Sequence, residues 1–271
     1  MPKQKPSQPS ESPDMQAIAH ERWEQIANWW DDTIGDGNPT QDELVEPNQI
    51  ELLDLQPGER VLEVACGAGR FARRMAAEGA DVVAFDQSAN FIARANKRAQ
   101  GAPGAMTFHV MNAANEGAVL KLGEGTFDAV VCTMAIMDMP EIEPMAAWLP
   151  KMLKPHGRFV FSVVHPAFNS GHATLVAERN LGDGTLKYSV RADNYLDVKV
   201  TEAKGIVDQP TKHFYFERPI SLVLNTFFAQ GLMMDRMIEA GFEPREEPDY
   251  RLNWLNLQGI PQVMIARLRK P

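Results

Sequence analysis

Residues 61–71 carry the clearest chemical signature in the sequence. They read Val-Leu-Glu-Val-Ala-Cys-Gly-Ala-Gly-Arg-Phe, an apolar run that leads into a loop of small residues and then into a helical pattern. Small residues let a backbone approach a ligand closely, and the free N–H groups at the start of a helix attract an anionic group. The segment therefore predicts a strand, a nucleotide-binding loop and a helix.

An acidic residue, Asp86, follows at the end of the next apolar run, 19 residues after Gly67. That separation is typical of one strand–helix–strand step, and an acid at such a position can accept hydrogen bonds from both ribose hydroxyls. Gly67, Gly69 and Ala72 also fit a loose dinucleotide-binding pattern, so an NAD(P) site is an alternative at this point. Glu63 disfavours it, because a carboxylate directly before the loop would sit badly beside a pyrophosphate.

Short apolar runs alternate with helical segments from residue 60 onward. The predicted strands cover 60–64, 81–85, 107–111, 129–133 and 158–164, and the predicted helices between them cover about 69–78, 88–99 and 141–153. Several of the strands are apolar on both faces, as strands covered by helices on each side must be. This alternation predicts an α/β fold with a doubly wound, parallel sheet.

The segments on either side of this core differ in composition. The predicted units are a disordered tail (1–14), an N-terminal helical cap (15–57), the nucleotide-binding core (58–165), a lid insertion (166–217) and the C-terminal part of the core (218–271). The lid is polar, contains several glycines and shows short alternating stretches, which favours a folded insertion over a structureless loop. After it we predict a long helix over about 219–240 and a final strand over 262–268.

Composition limits the classes of function. The chain of 271 residues has 27 Lys and Arg against 36 Asp and Glu, a formal net charge of −9. This balance disfavours nucleic acid as a partner, and no apolar run reaches the ~20 residues of a membrane span. Cys66 and Cys132 lie in apolar runs and the N-terminal residues lack the apolar stretch of a secretory signal, so we expect a cytoplasmic protein with buried thiols. A homodimer is possible, and no metal is expected.

Several segments together resemble the class I S-adenosylmethionine-dependent methyltransferases, in particular the small-molecule members related to ubiquinone and menaquinone methyltransferases. Residues 63–69 resemble their acid-x-Gly-x-Gly-x-Gly motif, with Ala65 in place of the first glycine. Residues 127–132 resemble their fourth-strand motif, 152–159 their turn into the fifth strand, and 218–242 their helix after the lid. The resemblance implies a Rossmann-like, seven-stranded sheet, mostly parallel with an antiparallel last strand, plus N-terminal helices and a lid insertion.

The resemblance also implies S-adenosylmethionine as the methyl donor and assigns residues to it. Backbone groups of Ala65 and Gly67 would hold the methionyl end with help from Glu63 at its ammonium group, and Asp86 would take the ribose hydroxyls. Asn112 would contact the adenine amine, where family members mostly have Asp. The other implied donor-site residues are Gly69, Arg70, Gln87, Ala113, Thr133 and Met134. Arg70 has a salt bridge on the helix surface as its alternative role.

The acceptor site is expected to hold a small molecule. Within Ser-Val-Val-His-Pro at the end of the fifth strand, His165 is the candidate general base, the alternative being a structural histidine that bonds to the lid. His213 and Tyr215 on the lid return and Asp138 after the fourth strand are further candidates for acceptor binding. Trp29 is a candidate as well, because it points away from the buried helical stripe that continues to Trp30.

Methionines near the fourth strand and in the predicted long helix suggest an apolar, aromatic acceptor, although helical core packing is an alternative explanation. They are Met134, Met137, Met139, Met233, Met234 and Met237. Two rival functions remain at this stage, an NAD(P)-dependent oxidoreductase and a catalytically silent module that binds S-adenosylmethionine.

Overall fold

The computed structural model describes residues 14–35, 37–244 and 252–271. The predicted disordered tail lies outside these residues except for Asp14. The helices are α1 (Met15–Ile34), α2 (Glu46–Leu53), α3 (Arg70–Ala77), α4 (Ala89–Arg98), α5 (Glu116–Val119), α6 (Glu143–Met152) and α7 (Ile220–Phe228). The strands are β1 (Arg60–Val64), β2 (Asp81–Asp86), β3 (Ala105–Val110), β4 (Phe127–Thr133), β5 (Leu153–Val164), β6 (Ala173–Arg179), β7 (Leu186–Ala192), β8 (Lys199–Ala203), β9 (His213–Glu217), β10 (Met233–Ala240) and β11 (Val263–Arg269).

A seven-stranded sheet in the order β10-β11-β5-β4-β1-β2-β3 forms the centre of the fold. Strands β1 to β5 pair in parallel, and β11 runs antiparallel between β5 and β10. The predicted doubly wound, Rossmann-like sheet with an antiparallel last strand is confirmed. Since β1 and β4 carry buried apolar side chains on both faces, each face of the sheet must be covered by helices.

Two apolar cores flank the sheet. On one face, Trp148 of α6 and Phe227 of α7 pack with Phe159 and Phe161 of β5. On the other face, α2 and α3 bury a second group of side chains, Leu52, Leu53, Phe71 and Met75. In α3 the buried residues recur at helical spacing, so the amphipathic pattern of that segment fixes which side of the helix meets the sheet.

The predicted helix over 219–240 is wrong in its second half. Helix α7 ends at Phe228, the chain turns at Gly231 with φ of 83°, and 233–240 form the edge strand β10. Pairing with β11 decides this outcome, because the local sequence fits either a helix or a strand and tertiary contacts override propensity. Met233, Met234 and Met237 are consequently exposed on the edge strand and do not line the cavity that holds the predicted acceptor site.

The segment 166–217 folds into two antiparallel hairpins, β6 with β7 and β8 with β9. Helix α1 packs against α4 and also contacts β9 of the second hairpin. The two additions therefore meet above the carboxyl ends of the parallel strands. No helix in the described ranges is both long and apolar enough to cross a membrane.

Ion pairs at one buried carboxylate hold α1 on α4. Asp31 is 3% exposed and lies 3.1 Å from Nη1 of Arg94 and 2.7 Å from Nε of Arg98. Its neighbour Asp32 also pairs with Arg94, but its side chain is 63% exposed. Because exposed pairs contribute little and buried ones are costly to break, Asp31 carries most of the anchoring.

We expect Asp31→Ala to lower the free energy of unfolding by about 2 kcal/mol, since it leaves two guanidinium groups without their buried partner. Asp32→Ala is the matched control and should lower stability much less. Urea denaturation of both variants measures the difference. Equal losses in the two variants would contradict the anchoring role of Asp31.

Candidate active site

A cavity of about 610 Å³ opens at the carboxyl ends of β1, β2 and β4. Its floor is the loop that follows β1, and its walls come from the loops after β2, β3 and β4. Side chains of α1 and of the β8–β9 hairpin complete the enclosure. This is the edge at which open α/β sheets hold ligands.

The floor of the cavity is a loop with left-handed backbone conformations. Ala65, Gly67 and Gly69 have φ of 54°, 53° and 70°. A Cβ added at Gly67 would meet nothing closer than the Phe91 ring at 3.9 Å, so the backbone there is open to a ligand. Ala65 holds its positive φ despite its side chain, a strain that such loops tolerate where the surroundings fix the backbone.

Gly69 has a different role from the predicted one. It does not line the cavity, and an added Cβ would lie 2.7 Å from the Phe108 ring and 3.1 Å from Cβ of Ala95. The glycine is needed for the close approach of the start of α3 to β3 and α4. Its assignment to the donor site is therefore corrected to a packing role.

Glu63 faces the cavity with an unsatisfied oxygen. The residue is 1% exposed, and its Oε2 has no hydrogen-bond partner. Burial raises the pKa of this carboxyl well above its usual range, and the negative charges of Glu46 and Asp86 raise it further, against an opposing effect of Arg73. A buried carboxyl of this kind is best satisfied by a cationic group of a ligand.

Asp86 ties the floor of the cavity to β2. Its Oδ2 accepts a hydrogen bond from the N–H of Gly67 at 2.9 Å, and its Oδ1 accepts one from the N–H of Ser88 at 2.8 Å. Burial raises the pKa of Asp86, although these two N–H groups oppose the shift. The carboxylate thus shapes the loop and still borders the cavity.

Other predicted donor residues, Gln87, Asn112, Ala113, Thr133 and Met134, also line the cavity. Asn112 is oriented by the N–H of Ala114, which donates to Oδ1 at 2.8 Å. Met134 has φ of 51° and donates its N–H to the backbone oxygen and Oγ of Ser162. A second strained backbone position therefore lies where β4 enters the cavity wall.

Arg70 borders the cavity, but its guanidinium group is engaged by the N-terminal helices. It pairs with Glu46 of α2 and with Asp42 of the preceding helical turn. The predicted ion-pair role is thus present, and the buried Nη1 without a partner leaves the predicted donor-site role open. Glu46, which also pairs with Arg74, is 3% exposed and was not identified from the sequence.

Aromatic rings form the other end of the cavity. The ring centroids of Trp23 and His213 lie 4.5 Å apart, those of His213 and Tyr215 4.6 Å, and those of Trp23 and Trp30 5.1 Å. Trp29 does not line the cavity, so the geometry does not support its predicted role in acceptor binding. The apolar stripe of α1 is itself the roof of the cavity, and Trp23 and Trp30 on that stripe face the ligand space.

His213 is held as a neutral donor of a hydrogen bond. Gln209 bonds through Oε1 to the N–H of Gly205 and through Nε2 to the backbone oxygen of Thr211, and the same Nε2 lies 3.0 Å from Nδ1 of His213. Nδ1 is thus an acceptor and the proton resides on Nε2. Burial lowers the pKa of His213 to about 4, so the ring stays neutral at physiological pH.

Asp138 lies opposite this histidine. Its Oδ1 is 3.8 Å from Nε2 of His213 and has no hydrogen-bond partner. Burial raises the pKa of the Asp138 carboxyl well above its usual range. Asp138, His213 and Tyr215, all predicted from the sequence, are brought together in one wall of the cavity.

His165, the predicted base, is not part of the cavity lining, so the geometry does not support that role. It is 1% exposed; Nδ1 accepts from the N–H of Ala167 at 3.2 Å, and Nε2 lies 2.8 Å from Oε1 of Glu239. Both ring nitrogens are therefore occupied. The ring joins the first turn of the lid to the edge strand β10, the structural alternative considered for this residue.

We expect His165→Ala to lower the free energy of unfolding by about 1–3 kcal/mol, because it removes a buried, doubly hydrogen-bonded ring. Affinity for S-adenosylhomocysteine should stay within about twofold, since the ring lies outside the cavity. Glu239→Ala, which removes the partner of the same bond from a half-exposed position, is the control and should cost less. A large loss of affinity for S-adenosylhomocysteine in His165→Ala, measured by calorimetry, would show that His165 does contribute to the binding site.

Comparisons with known proteins identify the family of this chain. Residues 61–157 match the family model described as a methyltransferase domain. The chain is 30% identical to a ubiquinone biosynthesis O-methyltransferase of Photobacterium profundum over 53% of its own length and 61% of the relative. It is also 30% identical to protein-L-isoaspartate O-methyltransferase 2 of Rhodopseudomonas palustris, over 58% of this chain and 69% of that one. The chain spans about three fifths of the first curated relatives.

Solved structures share the fold at low sequence identity. An S-adenosylmethionine-dependent methyltransferase from Mesorhizobium loti superimposes with a TM-score of 0.64 at 21% identity and covers 82% of this chain and 96% of its own. The magnesium protoporphyrin IX methyltransferase of Synechocystis with bound S-adenosylmethionine gives a TM-score of 0.61 at 15% identity, over 97% and 100% of the two chains. On the matched domain, the relatives and the fold, the chain belongs to the class I S-adenosylmethionine-dependent methyltransferases.

Proposed function

We propose that the protein transfers a methyl group from S-adenosylmethionine to a small-molecule acceptor. The observation that carries this proposal is the unpartnered carboxyl oxygen of Glu63 beside the open backbone of Gly67. A ligand with an ammonium group at one end and no pyrophosphate fits this pair. The same carboxyl disfavours the NAD(P)-dependent alternative, because it would oppose a pyrophosphate in a buried site.

The residues present fit the donor along the whole cavity. Glu63 would hold the ammonium group, the backbone of Ala65 and Gly67 the methionyl end, Asp86 the ribose hydroxyls, and Asn112 the adenine. When bound, the donor supplies a methyl group activated by a positively charged sulfur. The task of the protein is then to align the acceptor and to exclude water.

The enclosure supports a small acceptor. Helix α1 and the β8–β9 hairpin border the cavity, whose volume of about 610 Å³ must house the donor and the acceptor together. The net charge of −9 argues against nucleic acid as the acceptor. One relative is named for ubiquinone biosynthesis and another for 23S rRNA. The names of the relatives therefore do not identify the acceptor of this chain.

The roles that we propose for the residues at the acceptor end of the cavity differ from those expected from the sequence. We assign proton acceptance to Asp138 instead of His165, because Asp138 borders the cavity with a buried, unpartnered Oδ1 and His165 does not line it. His213 would donate its Nε2 proton to a polar group of the acceptor or to Asp138. A cytoplasmic location is supported by the two free, buried thiols of Cys66 and Cys132.

We expect Asp86→Ala to weaken binding of S-adenosylhomocysteine by about 1–3 kcal/mol, since two ribose hydroxyls and the N–H of Gly67 lose their acceptor. Asp81→Ala, an exposed acid at the other end of the same strand, is the matched control and should bind normally. Titration calorimetry measures both. Unchanged affinity in Asp86→Ala, or tighter binding of NADH than of S-adenosylhomocysteine by the wild type, would overturn the proposed function.

A further inference from the structure

We propose that the acceptor is a cationic amine, held by Asp138 against the aromatic rings of Trp23, Trp30 and Tyr215. This inference rests on the proposed function and specifies the class of molecule that the acceptor end of the cavity takes. It follows from three features: an unpartnered carboxyl and a wall of aromatic rings at that end, and an excess of acidic over basic side chains in the cavity lining.

The carboxylate is the first feature. Asp138 ends the short helical turn after β4, its side chain is 12% exposed, and its Oδ1 is buried without a partner. Nε2 of His213 lies 3.8 Å from this oxygen, which is too long for a hydrogen bond. The interior therefore gives this carboxyl no partner, and since burial raises its pKa, a cationic ligand that pairs with Oδ1 would favour the ionised carboxylate.

His213 cannot supply the missing charge itself. Gln209 is fixed by Gly205 and Thr211, so that its N–H group occupies Nδ1 of the ring. A second proton on His213 would have to displace this contact within a buried site. The imidazole thus stays a neutral donor, and the compensating positive charge must belong to the bound molecule.

The aromatic wall is the second feature. The Trp23 ring lies between Phe91 and His213, with centroid distances of 6.3 and 4.5 Å, and Trp30 meets Trp23 edge-on. Tyr215 continues the wall beyond His213. Faces of tryptophan and tyrosine rings attract cations, most strongly where water is excluded. Aromatic rings around a carboxylate suit an ammonium group better than a neutral hydroxyl.

The charge balance of the lining is the third feature. Its acidic residues are Asp31, Glu46, Glu63, Asp86, Asp138, Glu141 and Glu217. The basic side chains of the described lining are Arg70, which pairs with Glu46 and Asp42 and keeps a buried Nη1 without a partner, and the exposed Lys204. Acidic side chains therefore outnumber basic ones in the lining by seven to two. This excess of negative charge disfavours anionic acceptors.

An ammonium group must lose a proton before its nitrogen can accept a methyl group, and Asp138 is placed to take it. In this step an N–H bond of the acceptor breaks, an O–H bond forms on the Asp138 carboxylate, and the nitrogen keeps the electron pair. The ammonium group binds as an ion pair with the Asp138 carboxylate, and the transfer follows within that pair because burial makes the carboxylate a stronger base.

The test compares three probes with one phenethyl body and different head groups, 2-phenylethylamine, 2-phenylethanol and phenylacetate, by calorimetry on protein saturated with S-adenosylhomocysteine. We expect the amine to bind about tenfold more tightly than the alcohol, as a desolvated cation–π contact and an ion pair imply. Asp138→Asn should abolish this preference. Glu141→Gln, which neutralises an exposed acid of the same lining, is the control and should keep it.

Equal or tighter binding of the alcohol or of phenylacetate, an unchanged preference in Asp138→Asn, or no binding of any probe at millimolar concentration would overturn the inference. The inference would also fail if Asp138→Asn bound S-adenosylmethionine more weakly than the wild type but bound S-adenosylhomocysteine equally well, because the carboxylate would then serve the sulfonium of the donor. If the wild type fails to bind S-adenosylhomocysteine at all, the proposed function itself fails. Normal binding of S-adenosylhomocysteine without an amine preference contradicts the acceptor class alone.

Discussion

Glu63 and Asp138 each bury a carboxyl oxygen that no group of the described chain satisfies, and both oxygens border the same cavity. Removing a carboxylate from water is costly unless a cation or hydrogen-bond donors replace the solvent. In this protein the unfavourable desolvation free energy arises twice in one site, at Glu63 and at Asp138. The surrounding structure keeps both groups in place, and their satisfaction depends on ligands that carry positive charge.

The supports of the site are themselves ion pairs and hydrogen bonds that are satisfied within the chain. Asp31 fastens α1 above the cavity, Glu46 engages Arg70 and Arg74, and Gln49 bridges the hydroxyls of Thr133 and Ser162. The contrast with Glu63 separates structural from functional acids. A satisfied carboxylate stabilises the frame, whereas an unsatisfied one is reserved for a ligand.

The raised pKa values have a definite consequence for stability. For a carboxyl such as Glu63, the folded protein binds a proton over a pH range in which the unfolded chain has already lost it. Stability of the ligand-free protein therefore falls as pH rises from the ordinary carboxyl range through the raised pKa. A cationic ligand reverses this effect because it favours the ionised carboxylate, so binding and proton release are coupled.

Much of the fold was predictable because the information is local. Strands that are apolar on both faces, the loop of small residues and the acid at the end of β2 are all readable as short patterns. The second half of the predicted helix over 219–240 was not, since the strand state of β10 depends on β11, which is distant in sequence. His165 ends β5 as expected, but the turn that follows aims its ring at Glu239 and away from the cavity.

The residues around the acceptor end of the cavity show the same limit of local sequence patterns. Helical periodicity indicates which side of α1 is buried, but it could not tell that this stripe faces a cavity at Trp23 and Trp30. No sequence motif marks Gln49 or Glu46 as important. Their roles depend on contacts between α2 and residues that are far away in the chain, which only the folded arrangement reveals.

The most direct test of the central claim is a count of the protons released when S-adenosylmethionine binds. Calorimetry in buffers of different ionisation enthalpy gives this number, at about pH 6, where an α-amino group remains protonated. Glu46, Arg73 and Asp86 also act on Glu63, so Glu63→Gln is the necessary comparison. The account predicts net proton release by the wild type and a clear reduction in Glu63→Gln, together with weaker binding. Binding without proton release, or the same release in both proteins, would contradict it.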